Sequence, residues 1–347
     1  MLSRFTTVLC LAAAALAVVP AAGGGARDDT DALQARLDAG GTVFLPKLPG
    51  GQCYATRGLW VSRDDTEIGS DGACITSLGP GPVRLTSPDG DPIPAQAVFY
   101  INRSGLRELA PVNVSIHGLR IDVPPDAGTY GIGIFGHEVT VQDVTVTGSP
   151  LDAITIGGRA NGDGYAGRVA VLNCTLTGGR RNVVSATSVI GLRIEGNRIT
   201  GSTDTWPSPG GGNPGAGIDL EPDQRGTPML DVLISGNTIA DNAGPGIIVS
   251  LGTNRGNAVI ASAIRIVGNT ITGNGTKPTP PEQGGILFKG GQDRARTGIL
   301  VERNTITGNR GAGLTGHDTT VTLFARGNVL DGNELGPFAG VRFGIEH

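Results

Sequence analysis

The chain repeats itself, and this constrains its fold more than any other feature. Short segments of alternating apolar residues, most of them followed by Gly or Asn, recur with equivalent positions 23 to 40 residues apart. They are IHGLRIDVP (116–124), VQDVTVTG (141–148), VLNCTLTG (171–178), IEGNRITG (194–201), ISGNTIADN (234–242), IVGNTITGN (266–274), VERNTITGN (301–309) and ARGNVLDGN (325–333). The repeats are never closer than a fixed minimum, and the additional residues between them vary in number. This is typical of a solenoid whose coils carry loops of different length.

The repeats read as short strands, because their apolar residues alternate and no helical period lies between them. Gly accounts for 58 of 347 residues, about twice the usual share of roughly 7%, which favours strands joined by turns. Stacked coils of this kind form parallel sheets with neighbouring coils about 4.8 Å apart. One column of Asn is predicted to occupy a bend in a left-handed backbone conformation, with each amide bonded to its neighbours: Asn197, Asn237, Asn269, Asn304 and Asn328.

The segment DDTDALQARLDAGGTVFLP (28–46) predicts a short amphipathic helix with Leu33 and Leu37 on one face, then a Gly-Gly turn and a strand. Together with the repeats, it resembles the right-handed parallel β-helix proteins of the pectate lyase superfamily, over residues 27–340. The resemblance implies an all-β fold, a right-handed parallel β-helix, with a helix that covers the open end of the stack. We assign residues 26–110 to the cap and first coils and residues 111–347 to the β-helix repeats.

The first 25 residues predict a secretory signal peptide, because Arg4 precedes an Ala-rich apolar run that ends in small residues. We therefore expect a secreted or periplasmic protein with no membrane attachment once the signal is removed. In an exported chain, Cys53 and Cys74 are candidates for a disulfide, and Cys174 is expected to be a buried thiol. The net charge of −4 without a basic run argues against nucleic acid as a partner. We expect a monomer.

A second set of strands forms another wall of the predicted solenoid. It comprises YGIGIFGH (130–137), LDAITIGG (151–158), RNVVSATS (181–188), AGIDLEPD (216–223), PGIIVSLG (245–252), GGILFKGG (284–291) and AGLTGHDT (312–319). The third and fifth positions are mostly apolar and are expected to point into the coil, so the alternating positions point outward to solvent. One outward column is predicted to contain Ile154, Asp219 and Thr315, and the other Phe135, Ile156, Glu221, Ser250, Lys289 and His317.

The segment AGIDLEPD carries three acids, Asp219, Glu221 and Asp223, where the aligned segments have almost none. Glu221 and Lys289 are expected two coils apart, about 10 Å between Cα atoms, with the small Ser250 between them. The longest inserts, residues 202–215, 252–263 and 275–284, border these strands and are predicted to wall a groove. Trp206 and Arg255, which lie in these inserts, are candidates for binding substrate together with Asp223.

Two kinds of chemistry fit this face, and the family resemblance implies the first, a polysaccharide lyase. In it, Asp219, Glu221 and Asp223 hold Ca²⁺, which prefers hard oxygen ligands and would neutralise a uronic acid carboxylate of a polysaccharide. Lys289, assisted by His317, would then remove the proton from the C–H next to that carboxylate, and the glycosidic bond would break by β-elimination.

In the second, Glu221 and either Asp219 or Asp223 act as paired carboxylates of a glycoside hydrolase. A third hypothesis is a non-catalytic β-helix that binds glycans or belongs to the cell envelope. Sparse aromatic residues (Trp 2, Tyr 4, Phe 8) argue against a binding module. We therefore favour a polysaccharide-cleaving enzyme, a lyase first and a hydrolase second.

Overall fold

The computed structural model describes residues 27–86, 91–102, 111–157, 164–203, 214–222, 227–250, 260–276, 283–289, 296–317, 322–340 and 342–343. They form a parallel β-helix in which successive coils contribute strands to three long sheets. The predicted all-β solenoid is therefore confirmed. The predicted signal peptide (residues 1–25) lies outside the described residues.

Within the described ranges, every strand of the three long sheets pairs in parallel with the equivalent strand of the next coil. Sheet 1 contains Thr42–Leu45, Thr66–Ser70, Val112–His117, His137–Gln142, Ala166–Leu172, Val189–Glu195, Pro228–Ser235, Ile260–Val267, Arg296–Glu302, Thr322–Arg326 and Arg342–Phe343. Sheet 2 contains Cys53–Thr56, Cys74–Ser77, Arg120–Asp122, Thr145–Ser149, Thr175–Gly179, Arg198–Thr200, Thr238–Ala240, Thr270–Thr272 and Thr305–Thr307.

Sheet 3 carries the acidic segment. It contains Leu59–Val61, Ala97–Ile101, Tyr130–Ile134, Ile154–Ile156, Val184–Ala186, Ile218–Leu220, Ile247–Ser250, Ile286–Lys289, Leu314–His317 and Phe338–Ala339. A separate antiparallel hairpin joins Val83–Thr86 to Pro92–Pro94. Of the helices in the described ranges, none has the length and apolar character needed to cross a bilayer.

The interior is filled by ranks of aliphatic side chains that stack from coil to coil. In sheet 3, Ile132 lies opposite Ile154, and Ile154 lies opposite Val184. This register corrects the sequence prediction, which placed Ile154 and Ile156 on the outer face. Both isoleucines are fully buried in the core, and the outward position of their coil belongs to Thr155. The one-residue slip reverses every side chain of a strand.

The predicted Asn column is a buried ladder at the corner between sheets 1 and 2. The Oδ1 of Asn269 accepts hydrogen bonds from the backbone N–H and the amide of Asn237, both at 2.9 Å, and its own amide donates to Ile234 and Asn304. The predicted left-handed conformation is wrong for these Asn residues. The preceding residue adopts it instead, for example Gly268 with φ 65°, because a glycine meets no steric penalty there.

A second ladder, which the sequence analysis did not identify, occupies the corner between sheets 2 and 3. It contains Asn242, Asn274, Asn309 and Asn333, each of whose Oδ1 atoms accepts from the preceding coil. Both ladders satisfy backbone groups that the tight corners leave without strand partners.

The predicted capping helix is Thr30–Ala39, and it buries Leu33 and Leu37 as expected. Its Gln34 side chain forms hydrogen bonds with both backbone groups of Trp60, accepting from the N–H at 2.8 Å and donating to the carbonyl at 3.0 Å. The cap therefore supplies the first strand of sheet 3 with the bonds that a preceding coil would make. The predicted disulfide between Cys53 and Cys74 joins adjacent strands of sheet 2, and Cys174 is a buried free thiol.

The ladder predicts a large cost for Asn269→Ala, because the substitution leaves the N–H and amide of Asn237 and the carbonyl of Ile234 without partners. Each buried group left unpaired costs about 1–3 kcal/mol, so we expect a loss of about 3 kcal/mol or more in the free energy of unfolding. Denaturant unfolding measures it. The matched control is Asn328→Ala at the half-buried end of the ladder, where water can replace the lost bonds. Equal losses for both variants would contradict a stabilising role that depends on burial.

Candidate functional site

Asp219 and Glu221 lie on the outer side of sheet 3. Their neighbours Ile218 and Leu220 belong to the core, whereas Asp219 pairs in register with Ser185 on one side and Ile248 on the other. The predicted exposure of Asp219 is wrong, since the residue is only 1% exposed. Glu221 is half-buried. The acidic strand therefore holds one carboxyl group out of water and a second within reach of it.

The strand register confirms that Glu221 and Lys289 lie in one column, as predicted. Leu220 lies opposite Val249, so Glu221 and Ser250 follow as neighbours, and Ser250 lies opposite Lys289. Lys289 is half-buried like Glu221, and its positive charge opposes the rise in the pKa of Asp219. The backbone of His317 continues the column beside Lys289, but its side chain lies outside the described part of the chain.

The surroundings of the Asp219 carboxyl group favour its neutral form. Burial raises its pKa well above the usual value, the negative charge of Glu221 adds to this, and the charges of Arg181 and Lys289 only partly oppose it. Its Oδ2 accepts a hydrogen bond of 3.1 Å from the Asn182 amide. Its Oδ1 is buried and has no hydrogen-bond partner among the described atoms. A buried polar atom left in this state is costly and is a common mark of functional sites.

An ion pair between the half-buried Arg181 and the buried Asp152 lies one and two coils away from Asp219, towards the cap. Arg181 donates Nε to Oδ1 of Asp152 at 3.0 Å and Nη2 to Oδ2 at 2.7 Å, and Asp152 is fully buried. Burial lowers the pKa of Arg181, but the charge and hydrogen bonds of Asp152 outweigh it and raise that pKa overall, with a smaller contribution from Glu221. The guanidinium is therefore permanently charged and close enough to Glu221 to influence it.

Asn182 connects these groups, and the sequence analysis missed it. Its amide donates to Ser185 Oγ at 3.0 Å and to Asp219, while its Oδ1 accepts from the backbone N–H of Ala216 at 2.9 Å. Its own N–H donates to Asp152. The sequence did contain a signal for it. Asn182 is polar, whereas the equivalent position of the next coil is the apolar Ala216. The bonds fix the rotamer of Asn182, which in turn fixes the orientation of the Asp219 carboxyl group.

The described residues do not by themselves make a calcium site. Asp219 and Glu221 offer at most two carboxylate oxygens each, and Ca²⁺ takes six or more oxygen ligands. Within the described ranges, the one group of three residues with metal-ligand spacing is Cys53, Cys74 and Asp122, and two of these form the disulfide. Asp223, the third predicted ligand, lies outside the described residues, as do Trp206 and Arg255.

A cavity lies elsewhere, beside the capping helix. It has a volume of about 970 Å³ and is lined by charged residues that include Asp38, Arg63 and Arg84. Arg84 and Arg63 both donate to Asp38. These charges stabilise one another, so the cavity lacks the unsatisfied groups that distinguish the face of sheet 3.

The raised pKa of Asp219 predicts a pH dependence of stability. The folded chain holds this proton more tightly than the unfolded chain, whose Asp has a pKa of about 3.9. Stability is therefore lost as the pH rises from that value through the raised folded pKa. The Asp219→Asn variant lacks this loss, so its unfolding midpoint should rise relative to that of the parent as the pH increases above about 4. The exposed Asp331→Asn serves as the control. A difference that stays constant with pH would contradict a neutral Asp219.

The buried ion pair predicts that Arg181→Met destabilises the fold by about 3–5 kcal/mol, because Asp152 is left as a buried, uncompensated charge. Adding Asp152→Asn should restore part of the loss. The control is Arg265→Met, which breaks an exposed pair with Asp231 at 3.6 Å and should cost less than about 1 kcal/mol. Denaturant unfolding of all four proteins measures these differences. Similar losses for the two Arg variants would contradict the importance of burial.

Comparison with known proteins shows similarity to solved structures of bacteriophage tailspikes, whereas among curated proteins none matches the sequence. A mutant tailspike protein of E. coli bacteriophage HK620 in complex with pentasaccharide has a TM-score of 0.60 at 14% identity, covering 92% of this chain and 56% of the tailspike chain. The enzymatically active domain of tailspike protein 2 of bacteriophage CBA120 has a TM-score of 0.54 at 13% identity, covering 87% and 45%. The chain thus spans less than two thirds of these tailspike chains, and identities this low show a shared fold alone.

The family described as "Right handed beta helix region" matches residues 100–342. This match covers more than half of the chain, and it includes most coils of the three parallel sheets. The expected right-handed parallel β-helix is therefore confirmed, and the chain belongs to the right-handed beta helix family.

Proposed function

We propose that this protein is a carbohydrate-active enzyme that hydrolyses glycosidic bonds of a polysaccharide. Asp219 is the proton donor in this proposal and Glu221 is its ionised partner. The class of substrate is supported by fold neighbours, since the HK620 tailspike structure contains a bound pentasaccharide. The acids of sheet 3, Asp219 and Glu221, support hydrolysis as the reaction.

One observation carries the proposal: Asp219 Oδ1 is buried and unpartnered beside a second carboxyl group. Because Oδ2 accepts from Asn182, the proton of the neutral acid belongs on Oδ1. That O–H then has no acceptor among the described atoms. The oxygen of a glycosidic bond would be such an acceptor, and transfer of the proton to it would help the sugar leave.

Glu221 is suited to the complementary role. It is half-buried, lies two residues from Asp219 on the same strand, and raises the pKa of Asp219 through its own negative charge. Two carboxyl groups whose surroundings separate their pKa values form the acid and base, or acid and nucleophile, of most glycosidases. Arg181 lies close enough to Glu221 for the charge of Glu221 to contribute to the raised pKa of Arg181.

The burial of Asp219 adds a requirement to this mechanism. At 1% exposure, Oδ1 can meet a substrate oxygen only after the groups now covering it move aside. Substrate that displaces this cover would also exclude water from the site and strengthen the electrostatic interactions within it.

A second candidate, a lyase acting by β-elimination on a uronic-acid-containing glycan, is favoured by Lys289. This lysine shares the half-buried column of Glu221, with only Ser250 between them, and could remove the proton from the substrate. The lyase would require Ca²⁺ held with the help of Asp223. We further propose export of the protein after removal of residues 1–25, which the disulfide between Cys53 and Cys74 supports.

The test is a screen against xylan, β-glucan, polygalacturonate and alginate, with and without a chelator. Hydrolysis predicts new reducing ends without the ultraviolet absorbance of an unsaturated sugar, and no effect of the chelator. Glu221→Gln and Asp219→Asn should each lower the rate by about 10²–10⁴-fold. Lys289→Met is the matched control on the same column and should retain the rate within about tenfold, because Lys289 transfers no proton in the proposed hydrolysis.

Reducing ends that appear together with ultraviolet absorbance, and that are lost in Lys289→Met, would replace the hydrolase by the lyase. Retention of the protein on a glycan without any cleavage would replace both by a binding protein.

A further inference from the structure

Phe135 lies in the same outer column as Glu221, three coils nearer the cap. The column follows from the ladder of backbone hydrogen bonds, in which Phe135, Gly157, Thr187 and Glu221 donate in turn to Ile101, Ile134, Ile156 and Ala186. Three coil spacings place Phe135 about 14 Å from Glu221 along the axis. The sequence analysis noted the column but gave Phe135 no role.

Only small residues stand between Phe135 and Glu221. Gly157 is buried, and the hydroxyl of Thr187 lies over it. Thr187 itself is half-buried. On the other side of Glu221 the column continues through Ser250 to Lys289, both half-buried. A track of small and hydroxylated residues thus runs from the half-buried ring of Phe135 to the half-buried carboxyl group of Glu221.

The ring of Phe135 is held rigidly. It packs on Tyr100 with 5.1 Å between ring centroids, and Tyr100 packs edge-on against Trp60 at 4.9 Å. Trp60 is buried and its indole N–H donates to the carbonyl of Pro82 at 2.8 Å. A Cβ atom at Gly133 would approach Tyr100 to 3.0 Å and Phe135 to 3.3 Å, so this glycine lets the rings lie close to the sheet.

We infer that Phe135 is a binding subsite for a pyranose ring of the glycan, separated by several sugar residues from the bond at Glu221. The inference rests on the proposed function. An aromatic face offers apolar area to the C–H groups of a sugar ring at little entropic cost, because the ring is already fixed. The protein therefore binds chains that span the track more tightly than short oligosaccharides, and it cleaves within a chain.

The test compares Phe135→Leu, which keeps apolar volume but removes the aromatic face, with Phe44→Leu. Phe44 is exposed on sheet 1 and supplies the same substitution on another wall. Affinity electrophoresis in gels containing xylan, β-glucan, polygalacturonate or alginate measures binding. We expect Phe135→Leu to weaken binding up to about tenfold, Phe44→Leu to leave it unchanged, and Phe135→Tyr to retain it. With a cleaved substrate, Phe135→Leu should raise KM for the polymer while kcat stays the same.

Thr187→Gln keeps the test valid if Phe135→Leu fails to fold, because the longer side chain obstructs the track and should weaken polymer binding alone. Equal binding by Phe135→Leu and the parent, or no binding of any of the four glycans by the parent, would overturn the subsite. Cleavage with unchanged binding by Phe135→Leu would leave the proposed hydrolysis standing and remove only the subsite. Binding that depends on Phe135, without any cleavage, would leave the subsite standing and remove the proposed hydrolysis.

Discussion

The hydrogen bond between one coil and the next is the interaction on which this structure depends. In the sheets it joins backbone to backbone, and at two corners it passes through the side chains of buried Asn residues. Each Asn side-chain amide in the ladders both donates and accepts hydrogen bonds along the solenoid axis. The amides therefore fix the distance along that axis between the coils they join. The outer columns of sheet 3 inherit that spacing, and so do the distances between the groups they carry.

The repeat alone was enough to predict the architecture. Apolar alternation and the recurring Asn column identified a solenoid, and the cap helix with Leu33 and Leu37 was predicted correctly because its polarity pattern is local. The exceptions were also local. Thr155 and Ile154 exchanged faces because aligning LDAITIGG by its first letter shifts it by one residue, and a strand has no internal signal that resists such a shift. The left-handed residue at the corner proved to be Gly268 rather than Asn269, since both suit a bend.

The candidate site was predictable only as a list of residues. Alternation placed Asp219 outward and aligned Glu221 with Lys289, and both registers are observed. The burial of Asp219 and its bond to Asn182 could not be read from spacing, because they depend on side chains from other coils. That burial changes the chemistry: an exposed Asp219 would serve as a metal ligand, whereas a buried one favours holding a proton.

Gln34 stands in for a missing coil, since its amide occupies both backbone groups of Trp60. Without it, the first strand of sheet 3 would present an unpaired edge whose spacing matches the strands of any other copy of the chain. A solenoid has no closed boundary of its own, so its growth must be stopped chemically. One amide on the capping helix thus occupies two backbone groups to which a strand of another molecule could otherwise add.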